Sequence, residues 1–146
     1  MKIALGSDHA GFQLKNEIIR HLEGKGIETK DFGTYVESSC DYPDFAEAVA
    51  NEVSNKNYDY GILVCGTGIG ISIAANKIKG IRAALCGDTF SAHSCREHND
   101  ANILALGQRV TGSGLAMDIV DSFLKSEFLG GRHQNRVNKI NNLEGK

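Results

Sequence analysis

Short apolar runs alternate with segments of helical periodicity along the whole chain. Five of these runs are short enough for strands and lie at residues 2–7, 27–32, 60–65, 81–86 and 101–106. The run at 60–65 is apolar throughout, which is typical of a parallel strand that is covered on both faces. The run at 27–32 is the weakest of the five, because charged residues interrupt it.

The segments between these runs carry apolar residues three and four positions apart, which predicts five helices. The first begins near residue 11 and ends at Gly24 or Gly26, and the only proline, Pro43, suits the first turn of the second. Gly80 can close the third helix, and Asp88 can cap a fourth that reaches about residue 97. Strands and helices in strict alternation predict a single α/β domain over residues 1–146, a three-layer, doubly wound, Rossmann-like sandwich around a five-stranded parallel sheet.

The segment after Gly130-Gly131 breaks this pattern. It is polar, beginning Arg-His-Gln-Asn-Arg at residues 132–136, and has too little apolar surface to pack well on its own chain. We therefore expect the tail over residues 130–146 to lie on a partner or a ligand.

The composition argues against nucleic-acid-binding, membrane and secreted proteins. With 41% hydrophobic and 23% charged residues and a net charge of -2, the chain is typical of a globular protein without a basic field for nucleic acid or anionic membranes. No run approaches the roughly 20 apolar residues of a membrane span, and the N-terminus has no secretory pattern, so we expect a cytoplasmic location. The four cysteines show neither C-x-x-C nor zinc-ligand spacing, which predicts free thiols and no metal.

The stretch ILVCGTGIGIS, residues 62–72, carries the candidate chemistry. Ligands of open α/β sheets bind beyond the carboxyl ends of the strands, and Cys65 stands at such an end. The glycines after it allow backbone N–H groups to turn toward an anion, and the next helix begins there, which favours a thiolate that acts as base or nucleophile. The alternative is a small buried cysteine followed by a tight turn. A dinucleotide site is disfavoured, because its glycines normally follow the first strand.

Other polar residues have two interpretations each. Asp8 and His9 follow the first strand, beside Cys65, and either form a site or merely cap a helix and face solvent. His98 precedes the fifth strand, at the opposite edge of the sheet, so it is either a helix-end cation or part of a neighbouring subunit's site. Arg109 and the pair Arg132 and Arg136 either bind a phosphate or carboxylate or remain solvated.

Five motifs in this order and spacing resemble a known family. They are GSDHAG at 6–11, Asp41-Tyr42-Pro43, CGTGIGISIAANK at 65–77, REHNDANILALGQR at 96–109 and the tail at 132–136. Together, over nearly the whole chain, they closely resemble type B ribose-5-phosphate isomerases, a family that also contains galactose-6-phosphate isomerase subunits. Some members have a glutamate in place of the cysteine, whereas Cys65 is present here.

The resemblance implies a cofactor-free aldose–ketose isomerase that interconverts ribose 5-phosphate and ribulose 5-phosphate through a cis-enediolate, in the non-oxidative pentose phosphate pathway. It implies that Cys65 moves the proton between C2 and C1, that Thr67 assists at the sugar oxygens and that His98 opens the furanose ring. The implied substrate-binding residues are Asp8, His9, Gly66, Gly68, Ile69, Gly70, Asn99, Arg109, Arg132 and Arg136. Members of the family are homodimers with shared active sites, some of which pair into tetramers, so the tail is expected at the dimer interface.

Two alternative functions stay open at this point. A hexose 6-phosphate isomerase, acting on allose or galactose 6-phosphate, would use the same groups in a slightly larger pocket. A non-catalytic, anion-binding regulatory module on the same scaffold would have no need of Cys65.

Overall fold

A computed structural model describes residues 1–145, and its centre is a parallel sheet of five strands. The strands are β1 (Lys2–Ser7), β2 (Glu28–Asp31), β3 (Tyr60–Cys65), β4 (Ala83–Leu85) and β5 (Ile103–Gly107). Their spatial order is β2-β1-β3-β5-β4, and every neighbouring pair is parallel. The predicted single α/β domain with a doubly wound sheet is confirmed.

Residues 1–145 contain six helices, of which the first five cover the two faces of this sheet and the sixth packs on the fourth. They are α1 (Phe12–Gly24), α2 (Tyr42–Ser54), α3 (Ile69–Ala75), α4 (Thr89–Asn99), α5 (Ser113–Lys125) and α6 (Arg132–Asn141), with a 3-10 turn at His9–Gly11 before α1. One apolar cluster joins the sheet to α1, α4 and α5, and a second joins it to α2 and α3. No helix within residues 1–145 combines the length and apolar character needed to cross a bilayer.

The central strand β3 shows why its sequence is apolar throughout. Ile62 and Val64 belong to the cluster with α1 and α5, whereas Leu63 and Cys65 belong to the cluster with α2 and α3. Successive side chains point to opposite faces of a strand, and helices cover both faces here. Burial of each large side chain contributes roughly 1.5–3 kcal/mol. The same alternation places Cys65 on the face that α2 and α3 cover.

The edge strands are shorter than the sequence predicts. β2 covers 28–31 instead of 27–32, and β4 covers 83–85 instead of 81–86. Both strands pair on one side only, and β2 alternates exposed and half-buried positions, so less apolar burial holds their ends in the sheet. β5 begins at 103 instead of 101, and just before it the Asn102 N–H donates to the Arg82 carbonyl at 3.1 Å.

The C-terminal tail, which the sequence predicts to pack poorly on its own chain, buries only two side chains within residues 132–141. Residues 132–141 form α6, which lies on α4 and buries His133 and Val137. These two residues are four positions apart and therefore share one face of the helix. The sequence argument did not predict this buried face, because one of its two residues is a histidine and not an apolar residue. The predicted dimer interface of the tail stays a prediction, and its last residue, 146, lies outside the described residues.

Candidate active site

Cys65 ends β3 in a backbone cradle formed by residues 66–70. Its side chain is only 4% exposed, and the N–H of Gly68 donates a hydrogen bond of 3.0 Å to Sγ. Gly68 has a left-handed backbone, with φ 78°, which glycine adopts without steric cost and which turns its N–H toward the sulfur. A hydrogen bond donated to an ionised acceptor is stronger than one donated to a neutral acceptor. This geometry therefore places a backbone N–H donor at the sulfur of a candidate catalytic residue.

Close packing on both sides fixes the cradle. A Cβ added at Gly107, at the end of β5, would lie 2.5 Å from the Thr67 carbonyl carbon, and one added at Gly70 would lie 2.5 Å from the Tyr42 ring. The chain after β5 is also bonded to the cradle, since Gln108 N–H donates to the Cys65 carbonyl (2.9 Å) and Arg109 N–H to that of residue 66 (3.0 Å). The cradle is thus preorganised by its neighbours, and by one side chain of its own, since the Thr67 hydroxyl accepts the Ile69 N–H at 3.3 Å.

Asp8 both caps the turn that follows β1 and lies in the wall of the cavity at Cys65. Its Oδ1 accepts the Gly11 N–H at 3.1 Å, so it caps the 3-10 turn, and its buried side chain also lines the cavity at Cys65. The turn lies against β3, because a Cβ at Gly11 would be 2.4 Å from the Val64 carbonyl oxygen. The end of β1 is in this way brought next to the end of β3.

His9 is oriented by the segment that follows β2. Its Nδ1 accepts the Cys40 N–H at 3.2 Å, so the neutral ring carries its proton on Nε2 and can donate one hydrogen bond from that atom. This segment is anchored by Lys15, whose fully buried ammonium group contacts Asp31 at 2.5 Å and the Thr34 carbonyl at 2.9 Å.

These groups enclose a cavity of about 430 Å³ at the carboxyl edge of the sheet. Its volume lies within the range of small-molecule sites. The residues that line it are Asp8, His9, Ala10, Tyr42, Cys65, Gly66, Thr67, Ile69, Gly70 and Arg109. The predicted site residues at the ends of β1, β3 and β5 therefore share one cavity, except Gly68, which does not line it but donates its N–H to the Cys65 sulfur. A cavity of about 490 Å³ beside β4 and α6 contains none of them except Asn99.

The remaining predicted residues form a second group. His98 and Asn99 end α4, and Arg132 and Arg136 are exposed on α6. The His98 ring stacks on that of His133, with 4.4 Å between centroids and 12° between planes. Burial and the neighbouring charges of His98, Arg132 and Arg136 lower the pKa of His133. An anion bound at this group would relieve the repulsion between its cations.

The sheet register separates the two groups within one chain. Cys65 pairs with Gly107, whereas Gly61 pairs with Ile103, and α4 ends just before β5 begins. Four residue steps at 3.3 Å each put about 13 Å of strand between these two levels. Among the residues that the structure describes, none of the second group lines the cavity at Cys65. The prediction that His98 lies at the opposite edge of the sheet is confirmed.

Tyr42 is a cavity residue that the sequence argument did not select. It begins α2, and its ring packs on Gly70. The sequence argument quoted Asp41-Tyr42-Pro43 as a motif but gave Tyr42 no role in the site. In a doubly wound fold the helices begin at the edge where the strands end, so the helix start before Pro43 was the observation that could have identified it.

Comparisons with known proteins show which sequences this chain resembles. Residues 3–140 match the family model described as Ribose/Galactose Isomerase. Ribose-5-phosphate isomerase B of Escherichia coli is 52% identical over 143 residues, which cover 98% of this chain and 96% of that protein. A putative sugar phosphate isomerase of Bacillus subtilis, YwlF, is 54% identical over 147 residues, covering 100% and 99%.

Solved structures have the same fold over nearly the same length. Ribose-5-phosphate isomerase B of Clostridium thermocellum superposes with a TM-score of 0.98 at 58% identity, covering 99% of this chain and 97% of that one. The Mycoplasma genitalium enzyme, solved with bound ribulose 5-phosphate, superposes with a TM-score of 0.94 at 45% identity, with the same coverage.

Proposed function

This chain belongs to the ribose/galactose isomerase family, and we propose that it interconverts D-ribose 5-phosphate and D-ribulose 5-phosphate as an aldose–ketose isomerase. The observation that carries this proposal is the Cys65 sulfur, hydrogen-bonded to Gly68 N–H in the wall of a cavity that also contains Asp8, His9 and Arg109. A non-catalytic anion-binding module would not need a thiol at this point.

In the proposed reaction, the Cys65 thiolate takes the proton from C2 of the open-chain aldose and becomes a thiol. The electrons of the C–H bond move into an enediolate, whose negative oxygen is held by N–H groups of residues 66–70. The thiol then returns the proton to C1, while Thr67 assists the transfer between the two sugar oxygens. Preorganised N–H donors suit this task, since loss of one such donor typically costs about 10²–10³ in rate.

The second group of residues completes the site from a partner subunit in this proposal. His98 opens the furanose ring, Asn99 and Asp8 bind sugar hydroxyls, and Arg132 and Arg136 join His9 and Arg109 around the phosphate. Two observations support a shared site. The two groups lie at opposite edges of one sheet, and exposed apolar side chains lie beside the cradle, where a second copy would cover them: Ile69, Ile73 and Leu85. Pairing of dimers into tetramers and a cytoplasmic location stay predictions.

Steady-state kinetics on two substrates test the proposed activity. We expect kcat/KM for ribose 5-phosphate to exceed that for allose 6-phosphate, because the additional hydroxymethylene unit must fit in a cavity of fixed size. A preference for allose or galactose 6-phosphate would identify a hexose phosphate isomerase, and absence of turnover with all three sugars would favour the binding module.

Gly107→Ala tests whether the cradle must be held in place. The added methyl group would push against the Thr67 backbone, and a misplacement of about 1 Å can cost about 10²-fold in rate, so we expect kcat/KM to fall by about 10²-fold. Gly112→Ala is the matched control, since its Cβ meets no atom within 4 Å and its backbone is extended, with φ -65° and ψ 154°. Equal kcat/KM in the two variants would contradict the prediction that catalysis requires a fixed position of the cradle.

A further inference from the structure

Cys86 and Cys95 form a pair of thiols that the proposed reaction does not use. Cys86 follows β4, Cys95 lies in the middle of α4, and their sulfur atoms are 3.9 Å apart. Both are free, with exposed fractions of 2% and 9%. Two thiols in van der Waals contact need to approach by about 2 Å to reach the 2.05 Å of a disulfide bond. Rotation of the two side chains can supply part of this approach.

One member of the pair is accessible to a small reagent. Cys95 lines the cavity of about 490 Å³ that lies beside β4 and α6, whereas Cys86 does not. The cavity wall is mostly apolar, and Arg82 and Asn99 are among its few polar residues. A small, uncharged oxidant such as hydrogen peroxide can therefore reach the Cys95 sulfur first.

The two thiols also differ in acidity. A hydrogen bond from Cys86 and the positive charge of Arg96 lower the pKa of Cys95, although burial acts against them. The hydrogen bond to Cys95 and burial raise the pKa of Cys86 well above its usual range. Because the thiolate is the nucleophile, the more acidic thiol is also the accessible one.

We propose that Cys86 and Cys95 are an oxidation site of this protein, which a peroxide converts into an intramolecular disulfide with Cys95 as the attacking sulfur. The Cys95 thiolate attacks one peroxide oxygen, the O–O bond breaks, and the products are Cys95 sulfenic acid and hydroxide. The Cys86 thiol then displaces the hydroxyl group from Cys95, forming the S–S bond and releasing water. The two sulfur atoms together lose two electrons, which reduce the peroxide to water.

The disulfide would act on the proposed active site through α4. Cys95 and His98 are three residues apart and lie on the same side of this helix. A bond that draws Cys95 toward β4 displaces the end of α4, where His98 stacks on His133. This consequence depends on the proposed function, and we expect a reversible loss of isomerase activity of about 10-fold or more, given the sensitivity of catalysis to such shifts.

Mass spectrometry of one peptide tests the oxidation site without reference to activity. Trypsin cleaves after Arg82 and Arg96, so residues 83–96 form a single peptide with both cysteines, and residues 57–77 form another with Cys65 alone. After peroxide treatment and alkylation, we expect peptide 83–96 to be lighter by two hydrogen atoms and free of alkyl groups. If it still takes up two alkyl groups when the Cys65 peptide is already oxidised, the proposal is overturned.

Two variants separate the roles of the thiols. Cys86→Ser should stop at Cys95 sulfenic acid, which dimedone traps, whereas Cys95→Ser should leave Cys86 reduced. The reverse pattern would overturn the assignment of Cys95 as the attacking sulfur. Peroxide will also inactivate the fraction of wild type in which Cys65 itself is oxidised. A reductant should restore any activity that wild type loses in addition to this fraction. Cys86→Ser should not show the additional loss. An identical loss in Cys86→Ser would overturn the effect through α4 and leave the proposed isomerase function unaffected.

Discussion

Cys65→Ala is expected to reduce the turnover of ribose 5-phosphate by at least about 10³-fold, because general acid–base catalysis contributes typically 10²–10⁴-fold and this sulfur is the only base proposed for C–H cleavage. The hydrogen at C2 is only weakly acidic, so the cradle N–H groups cannot replace the base that removes it. Substrate binding should remain measurable, since the phosphate contacts are unchanged. The measurement is kcat beside the dissociation constant of ribose 5-phosphate from calorimetry.

Cys40→Ala is the matched control for this prediction. It also removes a thiol near the cavity, but the backbone N–H that orients His9 remains, so near wild-type turnover is expected. Wild-type kcat in Cys65→Ala would reject the assignment of this residue as the base. It would also restore the interpretation of Cys65 as a small buried side chain that fills a position beneath the cradle.

The sequence predicts the sheet well where burial is two-sided. β3 occupies the predicted residues, 60–65, because an uninterrupted apolar run has one stable position between two helical layers. The same argument puts Cys65 at a carboxyl edge and His98 at an amino edge, since strand direction is fixed once the sheet is parallel. These conclusions need only the order of elements along the chain.

Contacts that depend on one backbone conformation or on the packing of side chains could not be predicted from the sequence. The hydrogen bond from Gly68 N–H to the Cys65 sulfur depends on one left-handed residue, and the position of the Tyr42 ring depends on how α2 packs beside the cradle. The packing of residues 132–141 on α4 includes a histidine stack that no hydrophobic pattern indicates. In each case the contact is polar, or it involves a residue type that is found both buried and exposed in proteins, so its position cannot be predicted from a hydrophobic pattern.

Mixing two inactive variants, Cys65→Ala and His98→Asn, is expected to restore about a quarter of wild-type activity. Random exchange between equal amounts converts about half of the dimers into mixed dimers, and one of the two sites in each mixed dimer regains both groups. We expect Cys65 and His98 of a working site to come from different subunits, because about 13 Å of strand separates their levels in the sheet within one chain. Activity is measured over time as native mass spectrometry follows the exchange.

A complementary mixture gives the opposite result and serves as the control. Wild type mixed with a chain that carries both substitutions contains no complete site in the mixed dimers, because each site lacks either the sulfur or the imidazole. Activity should therefore fall during exchange, from about half to about a quarter of that of an all-wild-type sample. Two results together would contradict the shared site: constant activity in this mixture, and no recovery in the first mixture after complete exchange. They would mean that Cys65 and His98 of a working site belong to the same subunit. The shared site predicts that activity rises in the first mixture and falls in the second. Inactivation during incubation would lower activity in both mixtures, so it cannot produce this pair of results.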